Sequence, residues 1–369
     1  MFIKSDSLNK LRFLLFIVLI STSCRHRDVK LKTNENNVIV GKVLNLEGVL
    51  STRNIHIIDS LIIIQEYGNT YNFTVYNKNT LKLIGKFGRQ GRGPAEYNGP
   101  IMMKQKIVKI DGAYLIIWDL NNKRIDSINI LGAINKTNYY PKSINFRNQK
   151  LSQVFPMGTA VITADSFLIG TSRSNPGGRF FCYDIYNNKL TWEPFYPIPK
   201  KKPLERRISD LYMCNLALRP TGKDIAAASL FFERIDILDK KGKMVRSIVF
   251  ENQNKEPDFS SSNRMPPKVA YEYFTSISVT QDYIYALNID LDTDNKEIID
   301  SVSLIKATWD DKGIPPEIFK LSPKVMQIAV DDNNQILYGI KYLTSELYIF
   351  DLKQVTNNSN QSRSLCNVK

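Results

Sequence analysis

The sequence predicts an all-β chain, a six-bladed β-propeller of four-stranded antiparallel blades, and three observations lead there. One phrase, an aromatic or branched run, a turn of Asn, Asp, Lys or Gly, and a second apolar run, recurs six times. A pair of short strand-like runs stands ahead of each phrase. The sixth phrase lacks its second run, while an apolar run near the N-terminus has no partner of its own.

In chain order the phrase reads FTVYNKNTLKLIG from Phe73, YLIIWDLNNKRIDSINI from Tyr114 and FFCYDIYNNKLTWEPF from Phe180. It continues as RIDILDKKGKMVRSIVF from Arg234, SLIKATWDDKGIPPEIFKL from Ser303 and the truncated ELYIFDL from Glu346. Turn residues of these types tolerate left-handed backbone angles, so each phrase reads as a hairpin. TAVITADSFLIGTS and MQIAVDDNNQILYGI are the clearest preceding pairs. Two pairs make one blade, and repetition of blades around a channel leaves only short, protected edges. Val38–Leu46 (VIVGKVLNL) is expected to pair with Glu346–Leu352 and seal the ring. The propeller then spans 38–352, with a tether at 24–37 and a polar, disordered tail at 353–369.

GKFGRQGRGPAEYNGP (85–100) joins blade 1, whose outer strand reads as Leu81–Phe87, to blade 2, which begins at Ile101. Gly88, Gly91 and Gly93 are expected to supply positive φ angles, Pro94 to stiffen the return, and Glu96 to complete the hinge. No GxxxxGK[ST] is present and no helix follows the glycines, which excludes a P-loop and a dinucleotide fingerprint.

The chain opens with a basic segment (Lys4, Lys10, Arg12), an apolar run Phe13–Ile20, and small residues Ser21–Ser23 before Cys24. Eight apolar residues are too few to cross a bilayer, which takes about 20 in a helix. The pattern describes a secretory signal at 1–23. The cysteine directly after small residues resembles a bacterial lipobox, with Ser21 in place of the usual Leu. That resemblance implies cleavage before Cys24 and its acylation, an anchor that takes more than one lipid chain to hold firmly.

FGRQGRGPAEYNGP followed by DGAYLIIWDLNNKRIDSI also resembles the NHL-type repeat, through Phe87, Gly88, Gly91, Gly93, Pro94, Glu96, Tyr97, Asp111, Gly112, Asp119, Asn122, Arg124 and Ile125. It departs at Ala95, where the family has glycine, and the match covers this one unit of about 45 residues. Lipobox and repeat together are similar to the six-bladed, TolB-like propeller lipoproteins of Bacteroides-type bacteria. The resemblance implies a fold and an address on the outer membrane. It also implies that Asp119 and Arg124 serve hydrogen bonding within the blade. It names no activity.

The residues themselves offer little chemistry. His26 and His56 have no metal-spaced partners, and no CxxC, HExxH or GxSxG appears, so no metal, cofactor or catalytic residue is assigned. NIDLDTDNKE (288–297) lacks the glycine and closing glutamate of a calcium loop and reads as a hairpin turn. Cys182 and Cys214 are read as buried free thiols, with a bridge between them the alternative.

What remains is charge. The chain from Cys24 onward carries +12, of which +7 falls in the five stretches read as connections between blades. Arg89, Arg92, Lys142, Arg147, Lys200, Lys201, Lys202, Arg206 and Arg207 stand there beside Tyr139, Tyr140, Trp192, Phe195 and Tyr196. Cations beside aromatics suit an anionic glycan or an acidic protein partner. Nucleic acid does not fit an exported chain. Arg-His-Arg after Cys24, rather than an acidic run, favours the periplasmic side of the outer membrane. The expectation is therefore a non-catalytic binding or scaffolding propeller. The alternatives are a carbohydrate-active lyase or hydrolase with carboxylates or tyrosines at the channel mouth, and a structural envelope protein.

Overall fold

The computed structural model describes residues 28–31, 38–49, 51–136, 138–146, 149–173, 177–196, 208–250, 271–292, 297–298, 302–310, 314–341 and 344–353. Alternating turn residues and short β-rich runs form six antiparallel sheets arranged as a ring. Blade 1 is Thr52–Ile58, Leu61–Glu66, Tyr71–Asn77 and Leu83–Arg89. Blade 2 is Pro100–Lys109, Gly112–Asp119, Arg124–Asn129 and Lys142–Asn145. Blade 3 is Pro156–Ile162, Phe167–Ser172, Phe180–Asp184 and Lys189–Glu193. Blade 4 is Cys214–Leu218, Asp224–Ser229, Arg234–Asp239 and Met244–Phe250. Blade 5 is Tyr271–Val279, Tyr283–Asp292, Val302–Thr308 and Glu317–Ser322. Blade 6 takes Val325–Asp331, Ile336–Lys341 and Leu347–Asp351 from the C-terminal end.

Both faces of every blade are covered by neighbours, so the core is divided into layers between blades. Ile58, Phe73, Val75, Leu115 and Ile117 fill the layer between blades 1 and 2. Ile55, Ile57, Ile62, Ile64, Ala329 and Ile340 fill the last layer, between blades 6 and 1. Two-sided burial explains why the second strand of blade 1 reads LIIIQE without alternation: all six residues are buried. Each such isoleucine stabilises by about 1.5–3 kcal/mol on leaving water.

The seal differs from the expected one. Only Lys42–Val43, facing Ile349 and Tyr348, complete blade 6. Val38–Val40 instead run parallel to Glu317–Ser322, the outer strand of blade 5. Ile39 alone of those three is buried, and the Gly41 N–H reaches Ser322 O at 2.7 Å. The N-terminal segment therefore ties two blades together. Further upstream, Asp28–Leu31, within the stretch read as a tether, lies parallel to Met244–Phe250 of blade 4.

Blade 2 also departs from expectation. The phrase from Tyr114 forms its second and third strands, not its third and fourth. A short helix, Ile130–Asn135, follows, and Lys142–Asn145 is the outer strand. Lys142 is thus part of a blade, not of a connection. At NIDLDTDNKE, Leu291 and Asp292 face Ile298 and Glu297 in an antiparallel pair, and 293–296 between them lie outside the described residues. Cys182 and Cys214 are buried and unbridged.

Two blades open their third strand with the same tripeptide, Arg-Ile-Asp. In blade 2, Arg124 Nε lies 3.0 Å from Asp126 Oδ2. Its Nη1 donates to Gly93 O at 3.1 Å and its Nη2 to Glu96 O, so it grips the glycine-rich connection. Asn122 donates to Gly91 O at 3.1 Å and to Asp119 at 2.6 Å. In blade 4, Arg234 Nε donates to Asp236 Oδ1 at 3.0 Å, and Arg179 from blade 3 reaches Asp236 Oδ2 at 2.5 Å. Burial would raise the Asp236 carboxyl, but Arg179 and then Arg234 overcome it and hold the group below its ordinary range.

Within the connection, Gly88 has φ 74° and Gly91 φ 159°, but Gly93 has no positive φ. The left-handed angle falls on Ala95, at 55°. Gly93 is needed for another reason: its N–H donates to the folded-back Glu96 Oε2 at 2.9 Å, and a Cβ would sit 3.0 Å from that oxygen. A Cβ on Gly91 would overlap the same carboxylate outright.

Candidate functional site

Six inner strands line the channel, and a polar cup of about 430 Å³ opens where they begin, at the end where the connections between blades enter. Its floor comes from an irregularity in blade 2. Between Met103, which faces Ile116, and Ile107, which faces Tyr114, the inner strand has surplus residues. A bulge of this kind bends the strand and re-aims its side chains. Here it sends Lys104, Gln105 and Lys106 to other blades.

Lys104 Nζ crosses the channel and donates to Ser276 Oγ, Gln327 Oε1 and Ile328 O, each at 3.2 Å, in blades 5 and 6. Gln105 exchanges two 2.7 Å hydrogen bonds with the backbone of Ile162 in blade 3. Its own carbonyl accepts from His56 Nε2 of blade 1 at 3.1 Å. Lys106 Nζ donates to Val330 O at 3.0 Å. Three adjacent residues thereby brace blade 2 against blades 1, 3 and 6, and against blade 5 through Lys104. Further inner-strand bonds join Thr159 to Leu216, Asn215 to Phe274, and Thr275 to Met326.

The electrostatics of the cup are one-sided. Lys104 is buried, and burial pushes its amine down to about 7. Its three acceptors are two neutral side-chain oxygens and one carbonyl, so its charge has no carboxylate to balance it. Arg53 is exposed at the rim. The remaining polar side chains of the lining are amides and hydroxyls: Asn54, Gln65, Asn215 and Gln327, with Thr159, Thr275 and Ser276. Among the described residues, no Asp, Glu, His or Tyr lines the cup. His56 sits below it, and burial lowers its imidazole to about 3, which keeps it neutral. Among the described residues, no group of His, Cys, Asp and Glu could hold a metal ion.

Arg89 closes the outer strand of blade 1, facing Tyr71, and is thus part of a blade, not of a connection. It lies 5.5 Å from the Tyr71 ring centre, while Arg92 stands in the connection to blade 2. Both are exposed at the cup end but outside the cup. Lys142 opens the outer strand of blade 2, at the opposite end. Arg147, Lys200, Lys201, Lys202, Arg206 and Arg207 lie outside the described residues, as does Cys24. Gly88, Gly91, Gly93, Pro94 and Glu96 lie together between blades 1 and 2. Sequence reading missed Arg53 and Lys104. The signal for the second was MMKQKIVK, a polar triplet breaking an apolar inner strand.

No protein-family model matches the chain, and no curated protein sequence does. Solved structures do resemble it. An exported protein of Bacteroides fragilis NCTC 9343 aligns with a TM-score of 0.54 at 12% identity, over 88% of this chain and 98% of that one. A member of the DUF4221 family from Bacteroides vulgatus ATCC 8482 aligns with a TM-score of 0.52 at 14% identity, over 87% and 98%. At such identity the likeness is one of fold, and the fold this chain shares with them is the six-bladed β-propeller.

Proposed function

We propose that the chain is an exported binding propeller, anchored through an acylated Cys24 on the periplasmic side of an outer membrane. Its cup takes a small, anionic, hydroxyl-bearing ligand such as the acidic sugar of a glycan. The observation that carries this reading is the cup's composition: Arg53 and an unbalanced Lys104 among amides and hydroxyls, with no carboxylate among the described lining residues. An anion entering there gains a charge-assisted hydrogen bond at the rim and relieves the uncompensated ammonium at the floor. A volume of about 430 Å³ suits a ligand of one or two sugar rings. The same composition disfavours a carboxylate-driven lyase or hydrolase, which needs a general acid and base in place. The exposed Arg89 and Arg92 at the same end would add long-range attraction for an acidic polymer.

Calorimetry with D-glucuronate against D-glucose tests the cup. Binding of the acid and not of the neutral sugar is expected, with about a tenfold loss in Arg53→Gln. Affinity should fall as pH rises through about 7, because the bound anion favours the protonated Lys104. Equal affinity for both sugars, or for neither, ends the reading. The anchor is tested separately by the mass of the mature N-terminus, which should begin at Cys24 and carry acyl chains.

A further inference from the structure

The end of the ring away from the cup carries a surface of different character. Inner strands start at the cup, so the tip joining the inner and second strands of blade 2 lies at the far end. At that tip Ile110 is fully exposed, and Val108 beside it is 58% exposed. The helix Ile130–Asn135 and the chain following it join the third and outer strands of the same blade, again at the far end. They expose Leu131 and Tyr140. The two segments form one unit: Asn129 Nδ2 donates to Asp111 O at 2.8 Å, and the Asn129 N–H donates to the Tyr139 hydroxyl at 2.7 Å. Ile130 and Ile134, on the helix's inner side, are packed into the layer between blades 1 and 2. Lys109, Lys136 and Lys142 are exposed around the patch, against Asp111.

We propose that this far end of blade 2 rests on an anionic lipid bilayer. Ile110 and Leu131 reach below the headgroups, Tyr140 lies at their level, and the three lysines meet lipid phosphates. Exposed aliphatic side chains ringed by lysines, with a tyrosine between them, are the composition of an interfacial membrane contact. An apolar tip this exposed otherwise costs free energy in water.

A second observation points to the same end. Asp28–Leu31 runs parallel to Met244–Phe250, which starts at the far end and rises toward the cup. Followed back from Leu31 to Asp28, the chain heads toward the far end, and Cys24 is four residues beyond, at most about 14 Å of extended chain. This placement of the anchor rests on the acylated Cys24 proposed above; the patch itself does not. Docked this way, the cup faces away from the membrane.

The test uses the full chain, purified from its host membrane and reconstituted in vesicles of phosphatidylglycerol and phosphatidylcholine, or of phosphatidylcholine alone. On a Cys366→Ser background, an environment-sensitive fluorophore is placed by Ile110→Cys or, at the other end, by Arg92→Cys. Quenching by lipid-borne spin labels should be about threefold or more greater at 110 than at 92 in the anionic vesicles. It should fall to the level of 92 when Lys109, Lys136 and Lys142 are all replaced by Glu. Equal quenching at both sites overturns the proposal. So does quenching at 110 that ignores lipid charge and the lysine changes, which means a lipid contact indifferent to headgroup charge. If mass spectrometry finds no acyl group, the anchor reading fails. The quenching comparison, made by adding the unacylated chain to the same vesicles, still decides the patch, because the patch does not rest on the anchor.

Discussion

Blades 2 and 4 begin their third strands with the same Arg-Ile-Asp and put it to different uses. In blade 2, Asp126 has one arginine, and that arginine spends two further donors on the backbone of the connection from blade 1. In blade 4, Asp236 has two arginines and Ser247, and one of the arginines comes from blade 3. The linker tyrosines follow the same parallel: Tyr97 stacks 5.3 Å from Arg124, and Tyr196 lies 4.9 Å from Arg234. A short repeat therefore fixes a local pair. Whether the pair clamps a loop or staples two blades is decided by what the neighbouring blade supplies.

The comparison breaks most visibly at the two aspartates. Asp236→Ala leaves two buried guanidiniums uncompensated and should cost about 3–5 kcal/mol in urea unfolding. Asp126→Ala leaves Arg124 its two carbonyl acceptors and should cost about 1–3 kcal/mol. Equal losses would mean the second arginine adds nothing. Acid should separate wild type from Asp236→Asn. The folded carboxyl is held below its ordinary 3.8, so its contribution is complete above that pH and is lost as pH falls through the depressed value. Wild-type Tm should drop more steeply below pH 4 than that of the variant, whose side chain does not titrate.

A smaller effect is local. Arg124→Met should cost about 2 kcal/mol and release the amides of Gly91 and Tyr97 to faster hydrogen exchange. Arg234→Met should leave that connection protected, since Arg234 is bound to Asp236 and Ser247 within blade 4. The smallest change is favourable: Ala95→Gly relieves a left-handed angle of 55° and should stabilise by about 0.5–1 kcal/mol. This position is where the sequence departs from the NHL pattern, and the backbone angle shows why glycine suits it.

Legibility in the sequence followed distance along the chain. Hairpins such as Phe180–Glu193 were readable because turn and strands are contiguous. The seal was readable in outline from one strand too few at Glu346 and one too many at Val38. Its division between blades 5 and 6 was not, because Val38–Val40 carries a single buried residue and no pairing preference. Lys142–Asn145 escaped notice as a strand because four residues after a helix give no period. Lys104 was unreadable as a site residue because its acceptors, Ser276 and Gln327, lie 172 and 223 positions away. The Lys-Gln-Lys triplet interrupts an apolar strand, but nothing local to it names the blades its side chains reach.

The seam between Lys42–Val43 and Leu347–Asp351 joins segments about three hundred positions apart in the chain. Lys42 and Val43 are synthesised early and must wait, unpaired, until just over three hundred more residues have followed. A ribosome that stalls or a protease that nicks before Leu347 leaves blade 6 without its third strand and Lys42–Val43 without a partner, so the ring stays open. Arrival of the Leu347–Asp351 strand is thus the step that separates a closed ring from an open one.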